Sequence, residues 1–153
     1  REFAAGRSEM TNEAMKNIAE LKKLRMLNLN NSKISNPGLN HLAGLTDLRI
    51  LEVGNTQVSD AGLKHLVGMK QLRTLGLQRT GVSDDGLQHL AGLSSLNVLD
   101  LSNTAVTDAG LRHLAGLKQL RELDINYTKV TDGGRQRLRR ALPELAFVDR
   151  HGF

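Results

Sequence analysis

The sequence predicts an α/β fold: a right-handed solenoid with a parallel sheet on its concave face and short helices on its convex face. Three observations carry this expectation. Leu27, Leu51, Leu75, Leu99 and Leu123 stand 24 residues apart, and a fixed period in the twenties marks stacked repeats. Within the unit from Leu99 to Glu122 the apolar rhythm changes: Leu99 and Leu101 alternate with polar or exposed neighbours, whereas Leu111 and Leu114 stand three apart. The first spacing suits a half-buried strand and the second one face of a short helix. Such a unit cannot bury its own leucines, so it must stack on its neighbours.

Each element has a local reason. Val98, Asp100 and Ser102 occupy the face opposite Leu99 and Leu101, as a pleated strand requires. Asp108 precedes the helical leucines and reads as the N-cap. Its counterpart Asn36 is followed by Pro37, a residue suited to the first helical position. Gly116 follows the helix and reads as the left-handed residue that stops it, after which Leu117 and Leu120 return the chain to the next strand. A strand–helix–strand crossover is right-handed almost without exception, so repetition lays the strands side by side in parallel. Strands repeat about 4.7–4.9 Å apart but helix axes need roughly 8–10 Å, so the stack must curve with the sheet inside. Gly110 and Ala115 are small enough for close helix contacts.

Written out, the unit is L-x-x-L-x-L-x-x-T-x-V followed by T-D-x-G-L-x-x-L-A-G-L. It resembles the leucine-rich repeat family, within the ribonuclease-inhibitor-like superfamily of horseshoe solenoids, and most of all the bacterial repeats that read LxLxxTxVTDxGLxxLxxLxxL. The resemblance implies a binding scaffold whose protein ligands lie across the concave face. One position departs from the family pattern. Its usual buried asparagine is here Ser32, Thr56, Thr80, Thr104 and Thr128, so a hydroxyl ladder with fewer donors is expected to bond the neighbouring backbone.

The expected organisation is a single domain over 1–153: a degenerate N-terminal capping repeat (1–23), five repeats of 24 residues (24–143) and a C-terminal cap strand (144–153). Phe3, Ala5, Ser8 and Met10 align with the strand and ladder positions, Thr11-Asn12 with Thr107-Asp108, and Met15, Ile18, Leu21 and Leu24 with the apolar stripe. A chain that opens in mid-pattern is expected to belong to a longer array. There is no cysteine, hence no disulfide framework, and no apolar run long enough for a membrane span. The N-terminus does not read as a signal peptide. Asn30-Asn31-Ser32 and Asn126-Tyr127-Thr128 are glycosylation sequons on the strand side, which disfavours a eukaryotic secreted origin and favours a cytoplasmic one.

The net charge of +5 sits at the ends. Residues 27–132 hold 10 Lys/Arg against 10 Asp/Glu, residues 1–26 hold 6 against 4, and residues 133–153 hold 5 against 2. No basic stripe runs along the central repeats, so a nucleic-acid partner is disfavoured. Arg135, Arg137, Arg139 and Arg140 form the alternative anion-binding site. A second basic row, Arg25, Arg49, Arg73 and Arg121 with Asn97 interrupting, precedes the strands and is expected to be a solvated rim laced to acidic neighbours.

His41, His65, His89 and His113 share one register. Copies separated by roughly 8–10 Å cannot jointly ligate a zinc ion through bonds of about 2.0–2.1 Å, so no metal is expected, and no cofactor either. Ser, His and Asp occur only as register copies of scaffold positions, without the unique pocket that catalysis needs, so no enzyme is expected.

In a repeat array, shared positions build the scaffold and divergent ones are free for function. The outward strand positions diverge strongly, and Arg79 and Tyr127 replace the asparagine found at 31, 55 and 103. The candidate partner-binding residues are Asn28, Asn30, Glu52, Gln78, Arg79, Asp100, Ser102, Glu122, Asp124, Asn126 and Tyr127. They predict a polar, acidic concave face for another protein. The alternatives are the arginine-rich helix binding nucleic acid or an anionic surface, and a structural spacer that self-associates end to end.

Overall fold

The computed structural model describes residues 2–4, by their backbone, and 10–148. Its strands are β1 (Glu2–Ala4), β2 (Met26–Asn28), β3 (Ile50–Glu52), β4 (Thr74–Gly76), β5 (Val98–Asp100), β6 (Glu122–Asp124) and β7 (Ala146–Phe147). They form one parallel seven-stranded sheet in chain order, in a register that pairs Leu27, Leu51, Leu75, Leu99 and Leu123. Between them lie α1 (Met15–Ile18), α2 (Asn36–Leu42), α3 (Asp60–Leu63), α4 (Asp84–Leu87), α5 (Asp108–Leu111) and α6 (Asp132–Ala141). In α3, α4 and α5 the single helical turn tightens at once into a 3₁₀ turn, at Lys64–Leu66, Gln88–Leu90 and Arg112–Leu114. A 3₁₀ turn closes in three residues, which lets seven residues carry both helix leucines inward.

One continuous core runs the length of the stack, with every leucine of the central strands and helices fully or almost fully buried. The first repeat is poorer. Met15 and Ile18 are buried, whereas Leu21 is 39% exposed and so lies outside the core. Ala5 and Ser8, aligned with strand and ladder positions, lie outside the described residues.

Three local expectations are corrected. First, the helix caps are Ser35, Ser59, Ser83, Thr107 and Thr131, one residue before the expected Asn or Asp, which is itself the first helical residue. That Asn or Asp reaches instead to the next repeat. Asp84 Oδ1 accepts the Thr107 backbone N–H at 2.8 Å and its Oδ2 accepts the Thr107 hydroxyl at 2.6 Å. Asn12, Asn36, Asp60 and Asp108 bridge in the same way to Ser35, Ser59, Ser83 and Thr131. The glycine two residues into each helix makes room for this bridge. A Cβ on Gly62, Gly86, Gly110 or Gly134 would run into Asn36, Asp60, Asp84 or Asp108 of the preceding repeat.

Second, Gly116 is not left-handed, and no described glycine has positive φ. The left-handed residues are Asn31, Asn55, Arg79, Asn103 and Tyr127, with φ of 52–61°. They turn the chain where each strand ends, and asparagine is one of the few non-glycine types that tolerates this conformation. Third, the hydroxyl row is not a ladder between repeats. Ser32, Thr56, Thr80, Thr104 and Thr128 each donate to the carbonyl three residues earlier in the same repeat, at 2.6–2.7 Å. Only Ser32 and Thr104 are buried. A short hydroxyl closes a local turn but cannot span the strand spacing as an amide can.

Candidate functional site on the concave face

The strands place the divergent residues in columns. Asn28, Glu52, Gly76, Asp100 and Asp124 stand side by side in the sheet. Asn30, Gly54, Gln78, Ser102 and Asn126 follow two residues on, and the left-handed residues come next. Backbone bonds bind this second column together as well: Asn31 N–H donates to Gly54 O, Arg79 N–H to Ser102 O and Asn103 N–H to Asn126 O, each at 2.9 Å. Backbone pairing between repeats therefore continues as far as the left-handed row. A groove of about 310 Å³ runs there, lined by Asn30, Asn31, Gly54, Asn55, Gln78, Arg79, Ser102, Asn103, Asn126 and Tyr127.

The structure sorts the candidate residues by exposure. Tyr127 is 70% exposed and Arg79 and Glu122 are exposed, while Asn28, Asn30, Glu52, Gln78 and Asp100 are half-buried. Ser102, Asp124 and Asn126 are buried. Asp124 Oδ1 accepts from the Asn126 backbone N–H and side-chain amide, and the same amide donates to Val148 O at 2.8 Å on β7. Asp100 Oδ1 holds Ser102 through its backbone N–H and hydroxyl. Alternation pointed these side chains outward, but a carboxylate two residues before an N–H folds back onto it, so Asp124, Asn126 and Ser102 belong to the floor rather than to the contact surface.

Two glycines shape the middle of the face. The Gln78 side chain lies over Gly54, and the Glu52 carboxylate lies over Gly76, each where a Cβ would otherwise stand. Asn30 Oδ1 accepts the Gly54 N–H at 2.6 Å while its amide reaches Glu52 at 3.5 Å. Burial pushes the Glu52 carboxyl above the usual carboxylate range; the Asn30 amide opposes this and Asp100 adds to it.

The arginines of the C-terminal helix are differently placed from the expectation of an open anion site. Arg135 and Arg139 stack on the Phe147 ring, at 5.7 and 5.1 Å from its centre, and Arg137 is paired with Asp108 at 2.8 Å. Cation–π contact and ion pairing engage three of the four charges. His41, His65, His89 and His113 lie half-buried on the helical side, and no grouping of three or more metal-binding side chains occurs among the described residues.

Parallel strands in chain order, short convex helices and a leucine core define an open leucine-rich-repeat solenoid, and sequence and structure comparisons agree. A leucine rich repeat model matches residues 70–130. Among solved structures, an internalin (inlF) of Listeria monocytogenes superposes with a TM-score of 0.77 at 28% identity, over 90% of this chain and 38% of that one. Internalin C2 of the same organism gives 0.67 at 27%, over 87% and 55%. A leucine-rich-repeat protein of Leptospira interrogans gives 0.71 at 21%, over 88% and 33%, a likeness of fold alone. No curated protein matches the sequence. The fold is that of the leucine-rich repeat proteins, and the chain spans between a third and just over half of the length of these structural relatives.

Proposed function

We propose that the chain is a non-catalytic protein-interaction scaffold whose partner lies along the concave face, over the groove bounded by Arg79 and Tyr127. One observation carries this reading. Asparagine holds the left-handed position in three repeats, but Arg79 and Tyr127 hold it in the other two, at φ of 54° and 57°. A left-handed side chain of this size costs of order 1–3 kcal/mol, and such strain gathers at ligand sites. Tyr and Arg are also two of the residue types that dominate binding hot spots. Glu52, Asp100 and Glu122 stand on the strands of the same face, which suits a partner with complementary basic groups at its edge. The relatedness to leucine-rich repeat scaffolds, which commonly bind proteins, supports the same reading. The arginine-rich helix is the weaker alternative, because Phe147 holds Arg135 and Arg139 and Asp108 holds Arg137, so three of its four guanidinium groups are already engaged. End-to-end association of copies would show as a solution mass above that of one chain.

The test is selection of binders from a displayed protein-fragment library with the whole chain as bait, followed by titration against a variant carrying Arg79→Asn and Tyr127→Asn. Asparagine keeps the turn, so the variant stays folded. Binders that lose at least tenfold in affinity support the groove as the site. Binders that keep full affinity for the variant, while losing it to Arg135→Gln with Arg139→Gln, overturn it.

A further inference from the structure

The opposite edge of the sheet, where the strands begin, carries a second feature that the concave groove does not use. Arg25, Arg49 and Arg73 occupy consecutive rungs, and their backbones are hydrogen-bonded directly to one another: Arg49 N–H donates to Arg25 O and Arg73 N–H to Arg49 O, both at 2.8 Å. Adjacent rungs of a sheet lie about 4.7–4.9 Å apart, so three guanidinium groups start from one closely spaced row. Like charges in such a row repel unless acidic neighbours compensate. Lacing to acidic neighbours is the arrangement expected from the sequence, and it holds only at the far end, where Arg121 pairs with Glu144 at 3.0 Å and donates to Lys118 O. Among the described residues, the guanidinium groups of Arg25, Arg49 and Arg73 make no hydrogen bond or ion pair.

The unpaired charges are not spread over a convex surface. Arg49 and Arg73 line a groove of about 770 Å³ together with Ile50, Thr74, Ser95, Asn97 and Gln119, and no carboxylate lines it. The Asn97 amide, standing where the next arginine would be, donates to Gln119 O at 2.9 Å and so shapes the far end of the groove. Its lining thus combines two neighbouring forks of N–H donors with hydroxyl and amide groups and the apolar side chain of Ile50. Guanidinium forks match the spacing of oxygens on a tetrahedral oxyanion and bind them in bidentate fashion.

We propose that this rim groove is an oxyanion-binding site, in which Arg49 and Arg73 clamp a phosphate or sulfate group, free or carried as an ester, with Arg25 adding charge at its edge. The ligand relieves the repulsion within the row, so binding and stability are linked. Without a ligand, removing the two charges leaves the fold intact or slightly more stable, because these side chains hold nothing else in place.

Thermal melts of the whole chain in inorganic phosphate or sulfate, against chloride at equal ionic strength, test this. Sulfate and phosphate stabilise folded proteins in general through exclusion from their surface, so the informative quantity is the difference between variants. Arg49→Gln with Arg73→Gln is expected to lose the part of the rise that a charge-matched control, Lys64→Gln with Arg112→Gln on the convex side, retains. Calorimetric titration with inorganic phosphate, phosphoserine and a sulfated disaccharide should give heats with the parent and the control but none with the Arg49/Arg73 variant. Tighter binding of an ester than of the free ion assigns the source to an esterified group, and the reverse assigns it to the free ion. Equal rises in all three proteins, or no heat with any of the ligands, overturn the site.

Discussion

At the scale of single residues, the left-handed row shows how a scaffold position becomes a candidate site. Asn31, Asn55 and Asn103 satisfy a backbone requirement, and the Asn55 amide donates to Asn31 Oδ1 of the preceding repeat at 2.8 Å. Arg79 and Tyr127 meet the same requirement against their intrinsic preference. Arg79→Asn and Tyr127→Asn are therefore expected each to raise unfolding stability by about 0.5–1 kcal/mol, through relief of backbone strain. Urea melts with an unchanged m-value would measure it, and a loss of stability would contradict the strain.

Glu52 offers a second residue-scale outcome. Its carboxyl is held above the ordinary range by burial, so the folded chain binds this proton more tightly than the unfolded chain does. Stability from this group is then present at low pH and is lost as pH rises from about 4.3 through the raised folded value. Glu52→Gln should be more stable than the parent at pH 7, with the gap closing as pH falls toward about 4. Melting temperatures of both proteins across that range provide the measurement.

At the scale of the element, the bridge from each helix start to the next repeat adds a second tie between repeats beside that of the strands. Asp84→Ala removes both acceptors of Thr107 and should cost about 1–3 kcal/mol. Asp84→Asn should stay within about 0.5 kcal/mol of the parent, because Asn36 already does this work by donating its amide to the Ser59 hydroxyl. A serine or threonine hydroxyl can act as donor or acceptor and adapts to either partner. Asp108 bridges in the same way, and the Thr131 hydroxyl, the Thr131 backbone N–H and Arg137 hold its carboxyl below the usual range. The stability it contributes is present above its ordinary pKa and is lost as pH falls through the lowered one.

The helical glycines complete the element. Gly110→Ala would press against Asp84 and should destabilise by about 1–3 kcal/mol. Gly116 meets nothing within 4 Å and lacks positive φ, so Gly116→Ala should be neutral or stabilising by about 0.4–1 kcal/mol. Denaturant melts of the pair would separate the two glycine roles that the sequence presents alike.

At the scale of the whole molecule, every repeat is buried only by its neighbours, so stability approximates a sum of repeat and interface contributions. Leu99 has a neighbour on both sides and is completely buried. Leu99→Ala should cost about 2–5 kcal/mol. Protection of backbone amides from exchange should be greatest on β4 and β5 and decline toward α1, whose repeat leaves Leu21 outside the core. Uniform protection along the chain would contradict the additive picture. The same geometry gives the molecule two edges of different chemistry: a strained, mixed-polarity groove where the strands end and, where they begin, a row in which Arg25, Arg49 and Arg73 make no ion pair among the described residues.

What the sequence determined was whatever a 24-residue period and a change of apolar rhythm can express: parallel strands, their register, the convex helices and the single core. Those features follow from burial, which is written in leucine spacing alone. The tertiary structure decided what depends on the neighbouring repeat. Asp84 looks like a helix cap until Thr107, 23 residues on, is brought within hydrogen-bond reach. Gly110 and Gly116 look alike until the space beside each is known. Asp124 and Asn126 alternate outward but fold down onto each other and Val148. The two arginine rows exchange importance for the same reason, since a charge count cannot tell that Phe147 and Asp108 engage one row while Arg25, Arg49 and Arg73 of the other make no ion pair among the described residues. Burial acts along the chain's own periodicity, whereas hydrogen bonds and ion pairs act across repeats, over a few ångströms that only the folded stack brings together.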